Sequence, residues 1–154
     1  MSTPGVTRIT HHLDAPRADV YQAFLDPAAI VRWMVPADMT GEVHVFELRE
    51  GGAFCISLTY QSHASTGKSS AHTGTYHGRF VSPTRNERII QVMEFESADP
   101  SMQGEMTLTV SLRDHDGGTV LTVVHDRLLP GLAPSDNELG WRLSLEHLAS
   151  LVAR

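Results

Sequence analysis

Between Gly41 and Asp126 the chain repeats one pattern six times without a helix to interrupt it. Apolar residues alternate with polar ones in Val43, Val45 and Phe46, then in Phe54, Ile56, Leu58 and Tyr60. A third run places Gly74, Tyr76, Gly78 and Phe80 on one face, and a fourth places Ile89, Gln91, Met93 and Phe95 there. Met106, Leu108, Val110 and Leu112 make the fifth, and residues 119–125 the sixth. Successive strand residues point to opposite faces, so each run reads as a half-buried strand. Turn signals separate them at Glu50-Gly51-Gly52, Ser82-Pro83-Thr84, Asp99-Pro100 and Asp116-Gly117-Gly118. Strands joined by turns pair antiparallel, because parallel neighbours need a crossover of about a dozen residues or more. The result is a sheet with one apolar face that other elements must cover.

The flanks supply that cover. Residues 6–13, rich in threonine and β-branched side chains, read as a seventh strand. Asp14-Ala15-Pro16 opens a helix whose apolar stripe is Val20, Tyr21, Phe24 and Leu25. Asp26-Pro27 breaks it and starts a second short helix, residues 27–33, which ends before Pro36. At the C-terminus Ser135 and Glu138 have capping-box spacing. Leu139, Trp141, Leu143, Leu145, Leu148, Leu151 and Val152 then supply an apolar helix face. The order β-α-α-β6-α predicts an α+β fold, a curved antiparallel sheet of about seven strands wrapped on a long C-terminal helix. With that helix as the only sizeable cover, a space between it and the sheet is a natural ligand pocket. Gly74 and Gly78 either open such a space or lie beneath close-packed neighbours.

A chain of 154 residues buries roughly 68–70% of its unfolded surface as one unit, and residues 1–154 are expected to form a single domain. No run approaches the roughly 20 apolar residues of a membrane span, and no secretory signal is expected, because residues 1–8 lack a basic stretch followed by an apolar run. A lone cysteine, Cys55, fits a reducing compartment, so a cytoplasmic location is expected. Eighteen acidic residues against twelve basic ones give a net charge of −6 with histidines neutral. This disfavours nucleic acid and anionic membranes as partners. A homodimer is compatible with the composition and is not specified by it.

Nine histidines do not assemble a metal site on paper. His11 and His12 are adjacent and point to opposite faces, as do His72 and His77. His63 and His72 lie near the two ends of one hairpin loop, but no third ligand is placed beside them. Ser65-Thr66-Gly67-Lys68-Ser69 resembles the end of a phosphate-binding loop, yet it lies between strands and has Ser62 where the pattern needs glycine. Cys55 faces away from Phe54 and Ile56, with no base beside it. No metal or other cofactor is implied. His125, at the end of the last strand, is the candidate catalytic residue, an acid or base at the pocket mouth. An ordinary strand-end hydrogen bond is its competing role.

Trp33, Phe54, Tyr60, Tyr76, Met93, Phe95 and Trp141 come from different elements and converge on the helix-facing side of the sheet, with Leu145 beside them. Aromatic walls with a few polar tips suit a small hydrophobic or amphipathic molecule; a plain packed core would use the same residues. Gln91 separates the two, because an amide on an apolar face requires a polar neighbour, water or ligand.

Residues 15–24, Asp26-Pro27, Arg32-Trp33, Gly51-Gly52 before Phe54, and Gly74-Thr75-Tyr76 also carry a family likeness. So do Ser82-Pro83 with Glu87-Arg88-Ile89, Gly118-Thr119-Val120-Leu121-Thr122, His125, and Gly140-Trp141 with Leu145 and Leu148. In this order they resemble the START-like, or helix-grip, superfamily, in the branch named after the activator of the heat-shock protein 90 ATPase. The resemblance implies a helix-grip fold and a cavity for apolar or amphipathic molecules such as lipids, hormones and polyketides. Some relatives are cyclases or hydrolases, so catalysis stays open, with His125 as its candidate. The eukaryotic co-chaperone that names the branch has an additional N-terminal domain, which this chain is expected to lack. A chaperone-partner role is therefore a rival reading to ligand binding.

Overall fold

The computed structural model describes residues 5–34, 39–47, 49–60, 73–96 and 99–153. Seven strands run in the order β1 (Gly5–Leu13), β2 (Met39–Phe46), β3 (Ala53–Tyr60), β4 (Thr73–Thr84), β5 (Arg88–Phe95), β6 (Met106–His115) and β7 (Gly118–Leu128). Three helices, α1 (Arg17–Leu25), α2 (Pro27–Trp33) and α3 (Pro134–Val152), and one 3₁₀ turn (Pro100–Met102) complete the described elements. The strands form one antiparallel sheet, β1-β7-β6-β5-β4-β3-β2. The predicted α+β helix-grip class is thus the observed one. Only the β1–β7 contact joins strands distant in sequence; every other neighbour is consecutive.

Register decides what faces α3. His125 lies opposite Thr7 on one side and Leu108 on the other. Leu108 lies opposite Gln91, Gln91 opposite Phe80, and Phe95 opposite Tyr76. These side chains therefore share the inner face. Two irregularities explain where the alternation slips. A bulge between Val43 and Val45 inserts one residue, so Val43 and Phe46 share the inner face while Val45 turns out, 41% exposed. β4 continues through the expected turn at Ser82-Pro83-Thr84 with a register shift between Val81 and Thr84. The chain reverses instead at residues 85–87, where Asn86 adopts φ +61°. Asn tolerates that left-handed backbone better than most residues.

The helices depart from expectation in three ways. α3 begins two residues early, with Pro134 in its first turn and Ala133 as an N-cap without a side-chain bond. Proline's fixed φ suits that first position, so Ser135 falls inside the helix and the capping box does not form. Glu138 instead meets Arg142 one turn on, at 3.0 Å. The apolar face of α3 is also narrower than its leucine content suggests. Leu145 and Leu148 are fully buried, whereas Leu139 and Leu143 are 59% and 49% exposed. At 3.6 residues per turn, positions 141, 145, 148 and 152 form one stripe, and 139 and 143 fall on the opposite side. Finally, α3 does not cover the sheet alone. Val20, Phe24, Ile30 and Trp33 from α1 and α2 are buried in the same core. Asp26 caps α2 through Ala28 N (3.0 Å), Trp33 Nε1 donates to Ala23 O (2.9 Å), and Thr119 Oγ1 donates to Ala15 O (2.7 Å).

The two glycines of β4 serve opposite purposes. A Cβ on Gly78 would collide with Val92 O and come within 2.8 Å of Phe54 Cζ, so that site is close-packed. A Cβ on Gly74 would meet nothing within 4 Å. Gly78→Ala is therefore expected to lose about 1–3 kcal/mol through overpacking, and Gly74→Ala to stay within about 0.5 kcal/mol of the parent. Parallel thermal melts of the two variants check this; equal melting temperatures would contradict it.

Candidate functional site

The inner face of the sheet and the N-terminal half of α3 border two adjacent spaces. The deeper is a chamber of about 50 Å³, into which Phe54, Tyr76, Gln91, Met93, His125 and Trp141 all reach. The outer is a groove of about 370 Å³. Leu58, Tyr76, Met93 and Phe95 form its sheet wall, and Asn137, Gly140, Trp141 and Ser144 its helix wall. Met34, Tyr76, Met93 and Trp141 border both, so groove and chamber are adjacent and share these walls. The groove exists because α3 packs over β1 and α2, leaving β3–β5 uncovered beside it. Gly140 borders its open space, since a Cβ there would meet nothing within 4 Å.

Polar groups are few and placed at the inner end. Asn137 Nδ2 donates to Thr7 Oγ1 (2.8 Å) and to His125 Nδ1 (3.2 Å). Trp141 Nε1 donates to the same His125 Nδ1, also at 3.2 Å. Two N–H groups aimed at Nδ1 require its lone pair, which assigns the proton of the neutral ring to Nε2. His125 is 4% exposed, and Nε2 is buried without a hydrogen-bond partner among the described residues. Burial holds the imidazole neutral by lowering its pKa to about 4, against a smaller upward pull from Asp126. Burial likewise raises the Tyr76 phenol well above its usual range, and among the described residues its hydroxyl donates to Met34 Sδ, at 3.6 Å. Among the described lining residues Asp136, on the exposed rim, is the one charged side chain.

The residues singled out from sequence separate into three groups. Phe54, Tyr76, Gln91, Met93 and Trp141 line the chamber, Phe95 lines the groove, and His125 closes the inner end. Trp33 and Leu145 border neither space. Trp33, 1% exposed, packs edge-on against Phe24, and Leu145 is fully buried. The side chain of Tyr60 lies outside the described residues, as do His63, His72 and the Ser65–Ser69 segment. Trp141, read from sequence as one of the aromatic walls, is half-buried and borders both spaces. Asn137 and Met34 were missed. Asn137 stands one helical turn before Trp141 on the buried stripe, the signal that would have found it.

The remaining candidates lie elsewhere. Cys55 is on the outer face, its thiol pKa raised by desolvation and then by Glu96, which disfavours a reactive thiolate. His77, also outside, bonds to Glu94 (3.0 Å) and Glu96 (3.1 Å). Among the described residues no group of three metal-ligating side chains converges. A separate depression of about 320 Å³ lies beyond α1, between Tyr21, Gln22, Arg49 and Arg85; it does not reach the sheet–α3 interface.

An antiparallel sheet gripping a long C-terminal helix, with an apolar space between them, defines the helix-grip class of START-like proteins. Within that class, the family described as Activator of Hsp90 ATPase homolog 1-like protein matches residues 14–153, and the chain belongs to it. The fold is similar to that of a protein from Chromobacterium violaceum, with 30% identity, a TM-score of 0.87 and 97% of each chain covered. It is also similar to a protein from Rhodobacter sphaeroides (21% identity, TM-score 0.79, 95% of this chain and 90% of that one). The AHSA1-like protein of Aeromonas hydrophila is a third relative (19% identity, TM-score 0.73, 96% and 92% covered). The last two likenesses bear on the fold alone. No curated protein matches. Among the described residues no helix is long and apolar enough to cross a membrane.

Proposed function

We propose that this protein binds a small hydrophobic or amphipathic molecule in the groove between the sheet and α3. The observation that carries this reading is an apolar groove adjoining a chamber in which His125 Nε2 has no hydrogen-bond partner among the described residues. Ligand sites are typically concave, mostly apolar and furnished with a few fixed polar groups, and a combined space of this size suits a small ligand. Catalysis by His125 as a general base is disfavoured, because Nδ1 already accepts two N–H groups and Nε2 carries the proton. The exposed Leu139 and Leu143 are the apolar residues a chaperone-partner role would use, but two leucines do not make the large patch such a surface requires.

Gly140→Phe tests the proposal. Its side chain is expected to fill the groove while the core stays intact, and replacing a helical glycine removes up to about 1 kcal/mol of intrinsic helix cost. A neutral dye such as Nile red should bind the parent and be lost from this variant, with the melting temperature held or raised. Equal dye binding by both proteins would remove the groove from the account.

A further inference from the structure

If the groove is the ligand site, its inner end also specifies the ligand's polar group. We propose that the ligand enters carbonyl first and that His125 Nε2–H donates a hydrogen bond to a neutral carbonyl-type oxygen. A ketone, aldehyde, ester or amide would supply that oxygen.

The argument begins with the helix. Asn137 and Trp141 stand one turn apart on α3 and both donate to His125 Nδ1, at 3.2 Å each. Asn137 is itself tied to Thr7 on β1. The ring is thereby held in one tautomer and one orientation, and its remaining N–H is buried with no partner among the described residues. A buried donor without an acceptor is a standing cost that any acceptor entering the chamber relieves. The Gln91 amide lines the same chamber, and among the described residues the Tyr76 hydroxyl has a thioether sulfur as its partner, a weak acceptor. The chamber, at about 50 Å³, takes a functional group and not a whole molecule; the apolar body is left in the groove.

Charge narrows the class further. No lysine or arginine is among the described residues lining either space, so a carboxylate or phosphate driven to the inner end would be desolvated without a counter-ion. An ammonium would face the His125 N–H, a donor, with only the neutral amide oxygens of Gln91 and Asn137 and no carboxylate among the described residues of the inner end. A neutral oxygen acceptor fits the donors without either penalty.

Competition for bound Nile red tests this on the full chain, with heptyl methyl ketone, octanoate and nonane as probes. The expected result is an affinity for the ketone about tenfold above that for nonane or octanoate, a difference of ~1.4 kcal/mol. His125→Phe should abolish the preference and keep nonane binding. Because that variant also strips Asn137 and Trp141 of their acceptor, a second measurement uses the parent protein. The carbonyl stretch of carbon-13-labelled ketone should fall on binding below its value in an alkane. An unshifted stretch, or equal affinities for the three probes, would overturn the carbonyl assignment and leave the groove reading intact, as would preference for octanoate. Failure of every probe and of the dye to bind would overturn both.

Discussion

Trp33→Ala is expected to cost about 3–5 kcal/mol of folding stability, the range for removing a buried tryptophan. Trp33 is 1% exposed and borders neither ligand space, so none of its burial serves an opening. Its ring meets Phe24 at a centroid distance of 4.7 Å and an angle of 68°, an edge-to-face pair that contributes beyond its buried area. Its indole N–H donates to Ala23 O at 2.9 Å, and truncation takes that donor away. The residue thus links α2 to α1 within the buried core. A urea titration should show a lower midpoint with an unchanged slope. A loss below about 1 kcal/mol would contradict this placement.

Acid is expected to destabilise the fold through His125 in a defined window. The unfolded imidazole titrates at about 6.5, whereas burial holds the folded one to about 4. The folded state therefore resists a proton that the unfolded chain accepts. This group's contribution is complete above pH 6.5, falls as pH drops through the window, and loses nothing more below about 4. The full displacement corresponds to ~3 kcal/mol. Asp126 pulls the other way, and the neighbours on the ring, Thr7, Leu108, Asn137 and Trp141, are uncharged at these pH values. Denaturant titrations at pH 7, 5.5 and 4 should show His125→Phe less stable than the parent at neutral pH, with a flatter pH profile. A variant profile as steep as the parent's would place the acid sensitivity elsewhere.

The fold was legible because its signals are local. Period-two alternation named the faces of β3, β5 and β6, and Asp26-Pro27 marked the α1–α2 break to the residue. Legibility failed where tertiary packing overrides a local rule. Ser135 and Glu138 have the right spacing for a cap, but Pro134 starts the helix first. Leu139 and Leu143 are apolar yet face outward because α3 needs only one stripe. In the site, alternation was enough to gather Phe54, Tyr76, Gln91, Met93 and Phe95 on one face. It could not separate wall from core, since Trp33 and Leu145 are as apolar as the residues that border the groove. Nor could it reveal the ring orientation of His125, which depends on Asn137 and Trp141 arriving from another element.

The central claim is that a small apolar or amphipathic molecule occupies the groove beside Gly140. Native mass spectrometry after incubation with a lipid and metabolite extract of the host tests it most directly, with the parent and Gly140→Phe run side by side. The account predicts a defined adduct on the parent, lost on denaturation and absent from the variant. An adduct carried equally by both proteins, or none on the parent at high extract concentration, would contradict it.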